Sequence, residues 1–146
     1  MRKRIAVLAS GSGSNFKAII DTMNSFGVYE VVLCISDKAG AYVLQRASTS
    51  GIAAFSFIPK SYETKAAYEQ EIINHLQQWN VDYIVLAGYM RLIGSALLEK
   101  FEGRIINIHP SLLPSFPGLN AVRQALEAGV KVTGMTIHYV DAGMDT

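Results

Sequence analysis

Short apolar runs alternate with longer segments of helical periodicity along almost the whole chain. The apolar runs have the length of buried strands, and they predict strands at residues 4–9, 29–36, 53–57, 83–86, 104–109 and 132–140. Helices are predicted at 15–26, 42–48, 61–79, 95–100 and 120–128, with Ser61 as the N-cap of the longest. This alternation predicts an α/β fold: a Rossmann-like open, mainly parallel sheet with helices on both faces.

The composition supports a single globular domain and excludes several classes of protein. The 146 residues are enough to bury a core, and a chain that is half hydrophobic with 17% charged residues is not a disordered one. A formal net charge of +1 gives no sign of a nucleic-acid partner. No apolar stretch approaches the roughly 20 residues that span a bilayer. The single cysteine, Cys34, predicts a buried thiol and a cytoplasmic location.

Three predicted strands end in chemically unusual residues. These ends lie after Ala9, after Leu86 and at His109. Open α/β sheets bind their ligands beyond the carboxyl ends of the strands. Because such ends meet along one edge of a parallel sheet, we expect one ligand site there.

The first of these ends is a glycine-rich loop, Ser10-Gly11-Ser12-Gly13-Ser14-Asn15. Its glycines allow a tight turn close to a ligand, and the N–H groups at the following helix terminus favour an anion. Position 16 is Phe where the dinucleotide fingerprint needs a third glycine, and the loop lacks the lysine of a P-loop. The loop therefore indicates a single phosphate group, the alternative being a capped turn without a ligand.

The other two ends carry an amide–imidazole pair and an apolar segment. Asn107 and His109 are two apart on a strand and share a face, where an amide stabilises an oxyanion and an imidazole exchanges protons. A hydrogen-bonded core histidine is the alternative. The segment Ala87–Ile93 suits a slot for a flat ring or, alternatively, part of the core. We interpret Lys65, Glu69 and Glu71 as a solvated helix face, and we place His75 on the exposed side of the same helix.

Together these segments resemble the glycinamide ribonucleotide transformylase family, in the same order along essentially the whole chain. The matching stretches are Ala9–Asn15, Leu86–Ile93, Ile106–Gly118 and His138–Thr146. The stretch Asn107–Pro114 is shared with the wider group of folate formyltransferases and hydrolases. The loop Gly11–Asn15 points to the branch that binds a nucleotide phosphate.

The resemblance implies a function and a role for each matching residue. The enzyme would transfer the formyl group of 10-formyltetrahydrofolate to the amine of glycinamide ribonucleotide in purine synthesis, without a metal. The phosphate would be held by Gly11, Ser12, Gly13, Ser14 and Asn15. The folate would be bound by Lys65, Met90, Arg91, Leu92, Ile93, Leu98 and Asn107. The catalytic group would be Asn107, His109 and Asp145. The partners would be these two small molecules, and the protein would be a monomer or a homodimer.

The chain departs from the family pattern at a few positions. It ends one residue after Asp145, where family members continue, so we expect residues 1–146 to be a single formyltransferase domain that lacks its C-terminal part. Asn120 and Val122 stand where many members carry histidines. His138 matches a recurrent family histidine, with support of the active site and a structural role both open.

Three rival functions share parts of this pattern. A formyltetrahydrofolate hydrolase shares the region of Asn107 and His109 but usually carries an additional N-terminal domain. A methionyl-tRNA formyltransferase would need a C-terminal RNA-binding domain. A fragment that binds phosphate or folate without turnover is the rival from another class.

Overall fold

The computed structural model describes residues 3–13, 16–21, 27, 29–109 and 136–139, the last four and 108–109 by their backbone. The strands are β1 (Lys3–Leu8), β2 (Tyr29–Ser36), β3 (Ala53–Ser56), β4 (Tyr83–Ala87), β5 (Ile105–His109) and β6 (Thr136–Tyr139). The helices are α1 (described over 16–21), α2 (Tyr42–Thr49), α3 (Lys65–Gln78) and α4 (Ser95–Lys100), with a 3-10 turn at Pro59–Ser61.

The strands form one sheet in the order β3-β2-β1-β4-β5-β6. Strands β1 to β5 are parallel, and β6 runs antiparallel to β5 with His138 paired to Asn107. The predicted mainly parallel sheet is therefore confirmed. The chain builds from β1 to one edge of the sheet and then from β4 to the other, so the order reverses between β1 and β4.

Two helical layers cover the two faces of the sheet. Ile5 and Val7 of β1 belong to the core on the side of α1 and α2, and Ala6 and Leu8 belong to the core on the side of α3 and α4. Strand residues alternate between the faces, which explains why a continuous apolar run serves both cores. The helices contribute Phe16, Ile19, Val43 and Ala47 to the first core and Tyr68, Ile72, Leu76 and Leu97 to the second. Helices on both faces are thus confirmed.

The start of α3 differs from the prediction. Ser61 is not its N-cap, because Pro59 begins a separate 3-10 turn in which the Ser61 N–H donates to the carbonyl of Ile58. The N-cap is Thr64, whose Oγ1 accepts the N–H of Ala67 at 3.1 Å. A proline at the first position of a turn fixes φ, and here that local preference ends the turn before α3 begins.

The environment of His75 also differs from the prediction. Its ring is half-buried and stacks on Phe55 with the ring centroids 3.8 Å apart. The imidazole covers the edge strand β3, so His75 has a packing role that the polar neighbours in its helix concealed.

Several predictions lie outside the described residues. They concern the helix at 120–128 with Asn120 and Val122, the far end of the first helix, and the site residues Ser14, Asn15 and Asp145. Over the residues that are described, no helix has both the length and the apolar character needed to cross a membrane.

Candidate active site

The carboxyl ends of β1, β4 and β5 lie side by side in the sheet. Leu8 is paired with Leu86, and Leu86 is paired with Asn107 on its other side. The segments that follow these strands therefore meet at one edge, which is where the sequence placed the site. Asn107 is buried, and its backbone lies two residues before His109 on β5.

The glycine-rich loop is held by donors from the helices beside it. The Gly11 carbonyl accepts the N–H of Val43 at 3.2 Å, and the Ser12 carbonyl accepts Nε of Arg46 at 2.7 Å. The Gly13 carbonyl accepts the N–H of Lys17 at 3.0 Å. Three successive carbonyl oxygens, which would repel an anion, are thus engaged by the protein. This arrangement is typical of a loop that presents N–H groups to an anion.

Gly13 cannot be replaced without distortion. Its φ is +80°, and a Cβ atom built there would lie 2.5 Å from Cγ2 of Val43. The close approach of the loop to α2 therefore requires a residue without a side chain.

The second loop, residues 88–94, follows β4 and touches the first through Ser10. The Ser10 N–H donates to the Gly88 carbonyl at 3.1 Å, and the Met90 N–H donates to Ser10 Oγ at 2.9 Å. Ser10 is only 4% exposed. The sequence analysis placed Ser10 in the glycine-rich loop and missed its role as a link between loops.

Two side chains of α3 hold the far end of the second loop. Lys65 Nζ donates to the Leu92 carbonyl at 2.7 Å. One turn later, the Glu69 carboxylate accepts the N–H of Gly94 at 2.7 Å and the N–H of Leu97 at 3.3 Å. Glu69 thereby caps α4, which gives backbone donors at a helix N-terminus their acceptor.

The interpretation of Glu69 as part of a solvated face is wrong, since this residue is 2% exposed. The sequence did hold a signal: Glu69 shares a helical face with Ile72, Ile73 and Leu76, all of them buried. A carboxylate in a buried stripe requires a polar partner, here the start of α4.

Asp37 and Arg91 form an ion pair between the ends of β2 and β4. Arg91 Nε lies 3.0 Å from Asp37 Oδ2; the Asp37 side chain is buried and that of Arg91 is partly exposed. Within the described part of the chain, Asp37 Oδ1 has no hydrogen-bond partner. Sequence reasoning missed Asp37, although it follows a strand end at the same edge of the sheet.

Burial raises the pKa of two tyrosines beside this ion pair. Burial raises the pKa of Tyr89, and the neighbouring Tyr68, Asp37 and Glu69 raise it further, against the opposing charge of Arg91. Burial also raises the pKa of Tyr68. Both phenols therefore stay protonated across the physiological range and act as neutral groups.

The apolar residues of the second loop divide between solvent and core. Met90 is 75% exposed and Leu92 is 59% exposed, whereas Ile93 and Leu98 pack against the core of α3 and α4. The core interpretation of this segment therefore fits Ile93 but not Met90 or Leu92. Met90 and Leu92 thus leave apolar surface exposed in the loop that follows β4.

The described residues include no group of three or more histidines, cysteines or acidic residues arranged to hold a metal ion. The one cysteine, Cys34, lies on β2 and is buried in the core.

The chain matches known proteins over nearly its full length. A family described as formyl transferase matches residues 3–146. Phosphoribosylglycinamide formyltransferase of Bacillus subtilis is 56% identical over 145 residues, which are 99% of this chain and 74% of that protein. The trifunctional purine biosynthetic protein adenosine-3 of Drosophila pseudoobscura pseudoobscura is 49% identical over 148 residues, 99% of this chain and 11% of that protein.

A solved structure supports the same assignment at the level of the fold. The crystal structure of glycinamide ribonucleotide transformylase 1 from Geobacillus kaustophilus superposes with a TM-score of 0.81 at 54% identity. The superposition covers 100% of this chain and 78% of that one. The chain therefore belongs to the formyl transferase family and, within it, to the phosphoribosylglycinamide formyltransferases.

Proposed function

We propose that this chain transfers the formyl group of 10-formyltetrahydrofolate to the amine of glycinamide ribonucleotide, a step of purine synthesis in the cytoplasm. The observation that carries the proposal is the meeting of two different loops at one sheet edge. One loop suits a phosphate and the other suits a flat apolar ring, and Ser10 joins them at the edge of the sheet to which β5 contributes Asn107. A ribonucleotide and a folate are a pair of small molecules with these two chemistries.

The phosphate of the ribonucleotide would bind to residues Gly11, Ser12, Gly13, Ser14 and Asn15. In the described part of this loop, Gly11 and Ser12 are exposed and their carbonyls are turned to donors on α2. Backbone N–H groups in such a loop form a compact site for an anion.

The folate would bind along Met90, Arg91, Leu92 and Ile93, with Leu98 and Asn107 beside them. The exposed side chains of Met90 and Leu92 offer apolar contact to the ring system. Lys65 would contact the folate as well, and its hydrogen bond to the Leu92 carbonyl helps to fix the shape of this segment.

The chemistry would be a direct attack of the amine on the formyl carbon. A C–N bond forms to the ribonucleotide and the bond from the formyl carbon to N10 of the folate breaks, while a proton leaves the amine and one is taken up at N10. The Asn107 amide would stabilise the oxyanion of the tetrahedral intermediate, together with a cationic His109. Asp145 would support that cation, because a neighbouring carboxylate raises a histidine pKa.

The test is the absorbance change of 10-formyltetrahydrofolate on loss of its formyl group, with and without glycinamide ribonucleotide. We would use the 146-residue chain and a version extended at the C-terminus. Conversion that requires the ribonucleotide supports the proposal. Conversion with release of formate in its absence would establish a hydrolase instead. If calorimetry shows that either ligand binds but neither version converts the folate, the chain is a binding module and not an enzyme.

A further inference from the structure

Each of the two loops is anchored on its own side of the site. The glycine-rich loop is hydrogen-bonded to α1 and α2, whose donors are accepted by the carbonyls of Gly11, Ser12 and Gly13. The second loop is bonded to α3 through Leu92 and Gly94. These anchors tie single carbonyl and N–H groups of each loop to its own helices, and none of them relates one loop to the other.

Ser10 is the residue at which the two loops are bonded to each other. Among the hydrogen bonds of the described residues between 10–13 and 88–94, both involve Ser10: one through its N–H to Gly88 and one through its Oγ from Met90. Ser10 is directly followed by Gly11, and Met90 is the first residue of the proposed folate segment. A shift of either loop therefore changes the geometry of the Met90–Ser10 bond, which is 2.9 Å long.

We propose that Ser10 is a positioning residue that couples the two ligand subsites, so that a phosphate in the first loop strengthens binding of the folate ring in the second. The inference rests on the proposed function, since it takes the two loops as the two subsites. An anion that orders Gly11 and Ser12 also fixes Ser10 Oγ and, through it, the Met90 N–H. The folate then binds to a segment that is already ordered. Its binding free energy therefore no longer includes the entropic cost of ordering that segment. By linkage, the folate strengthens phosphate binding by the same factor.

The experiment measures that factor directly. Tetrahydrofolate and glycinamide ribonucleotide carry no formyl group, so both can bind at once without reacting. Calorimetry gives the Kd of tetrahydrofolate alone and at saturating ribonucleotide, and the ratio of the two is the coupling factor. For the unmodified chain we expect a factor of about 5 or more, the lower end of typical coupling between sites. We expect Ser10→Ala to reduce it to about 1 while each ligand still binds alone.

Two further variants separate coupling from general damage. Ser36→Ala is the matched control, because Ser36 is also a buried serine near the carboxyl end of a strand, but its Oγ accepts the N–H of Lys38, two residues further along the chain. We expect Ser36→Ala to keep the full coupling factor. Ser10→Thr keeps the hydroxyl oxygen and is expected to retain most of the coupling, which covers the case in which Ser10→Ala does not fold.

The outcomes distinguish this inference from the proposed function. Coupling that persists in Ser10→Ala, or is lost equally in Ser36→Ala, would overturn the role of Ser10. A coupling factor of 1 in the unmodified chain, with both ligands binding, would overturn the inference and leave the proposed function standing. If neither ligand binds the unmodified chain, both fall together.

Discussion

At the scale of the residue, Glu69 determines how the second loop meets the core. Its carboxylate accepts N–H groups from Gly94 and Leu97 in a buried place, and a Cβ atom at Gly94 would lie 2.8 Å from Glu69 Oε1. The absence of a side chain at Gly94 and the carboxylate at Glu69 are thus two parts of one arrangement. The carboxylate occupies the space that a side chain at Gly94 would need, and it accepts the N–H of the same residue.

We expect Glu69→Ala to lower the free energy of unfolding by about 2–4 kcal/mol, because two backbone N–H groups lose their acceptor. Glu69→Gln keeps one acceptor oxygen and should lose less. Urea unfolding of both variants measures the effect, with Glu71→Ala, two residues along the same helix, as the control. Equal stability of Glu69→Ala and Glu71→Ala would contradict the capping role.

Gly13 gives a second residue-scale prediction. Gly13→Ala places a methyl group 2.5 Å from Val43 and also requires an alanine at a φ of +80°. Gly51→Ala is the matched control, since Gly51 has a φ of +73° but open space around it. A left-handed backbone costs an L-residue about 1–2 kcal/mol. Thermal unfolding should show a larger loss of stability for Gly13→Ala than for Gly51→Ala. An equal loss would mean that α2 moves away from the added methyl group at no cost in free energy.

At the scale of the element, sequence reasoning located the strands well and the start of α3 poorly. Strands β1, β2 and β4 are each built around an uninterrupted apolar run, and their neighbours in the sheet only reinforce that pattern. The beginning of α3 depends on competition between a turn at Pro59 and two candidate caps, Ser61 and Thr64. Periodicity alone does not resolve such a competition, because all three residues favour helix starts.

The correction of the N-cap is testable. We expect Thr64→Ala to destabilise the protein by about 1 kcal/mol, because the Ala67 N–H loses its acceptor. Ser61→Ala, the same kind of change three residues earlier, should have an effect within about 0.5 kcal/mol of zero. Chemical denaturation of the two variants under identical conditions compares them. The reverse ranking would restore Ser61 as the cap.

At the scale of the whole molecule, the sequence predicted where the site lies but not how it is held together. The site follows from strand ends, which are local features. The links made by Ser10, Asp37 and Glu69 join residues that are 80, 54 and 25 positions apart. No local pattern encodes such partners, because only the folded sheet brings the loops after β1, β2 and β4 together. The roles of Asn107, His109 and Asp145 stay predictions.

The pH dependence of stability is a property of the whole fold to which Cys34 contributes. Burial raises the pKa of its thiol from the ordinary value of 9.0 to about 12. Its contribution to stability is complete below pH 9 and is lost as the pH rises toward 12, because the unfolded chain releases a proton that the folded chain keeps. The loss from this group approaches about 1.4 kcal/mol per pH unit.

We therefore expect the free energy of unfolding to fall between pH 9 and pH 10, and Cys34→Ala to flatten that fall while lowering stability at pH 8. Urea titrations at several pH values measure both. The comparison is limited to pH values up to 10. Above pH 10, Tyr68 and Tyr89, whose pKa values are also raised in the folded chain, add to the fall in the free energy of unfolding. An unchanged slope in Cys34→Ala would show that the thiol is accessible in the folded chain.

The strand order also has a consequence during synthesis on the ribosome. The half-sheet of β1, β2 and β3 is complete at Ser56, but β1 lacks its second neighbour until β4 ends at Ala87. Roughly 30 residues separate these points, a delay on the order of 1.5 to 6 s at typical rates of translation. The intervening α3 covers a face of the half-sheet and not its edge. For that interval we expect the nascent chain to expose an apolar strand edge, which is open to pairing with a neighbouring chain on the same messenger.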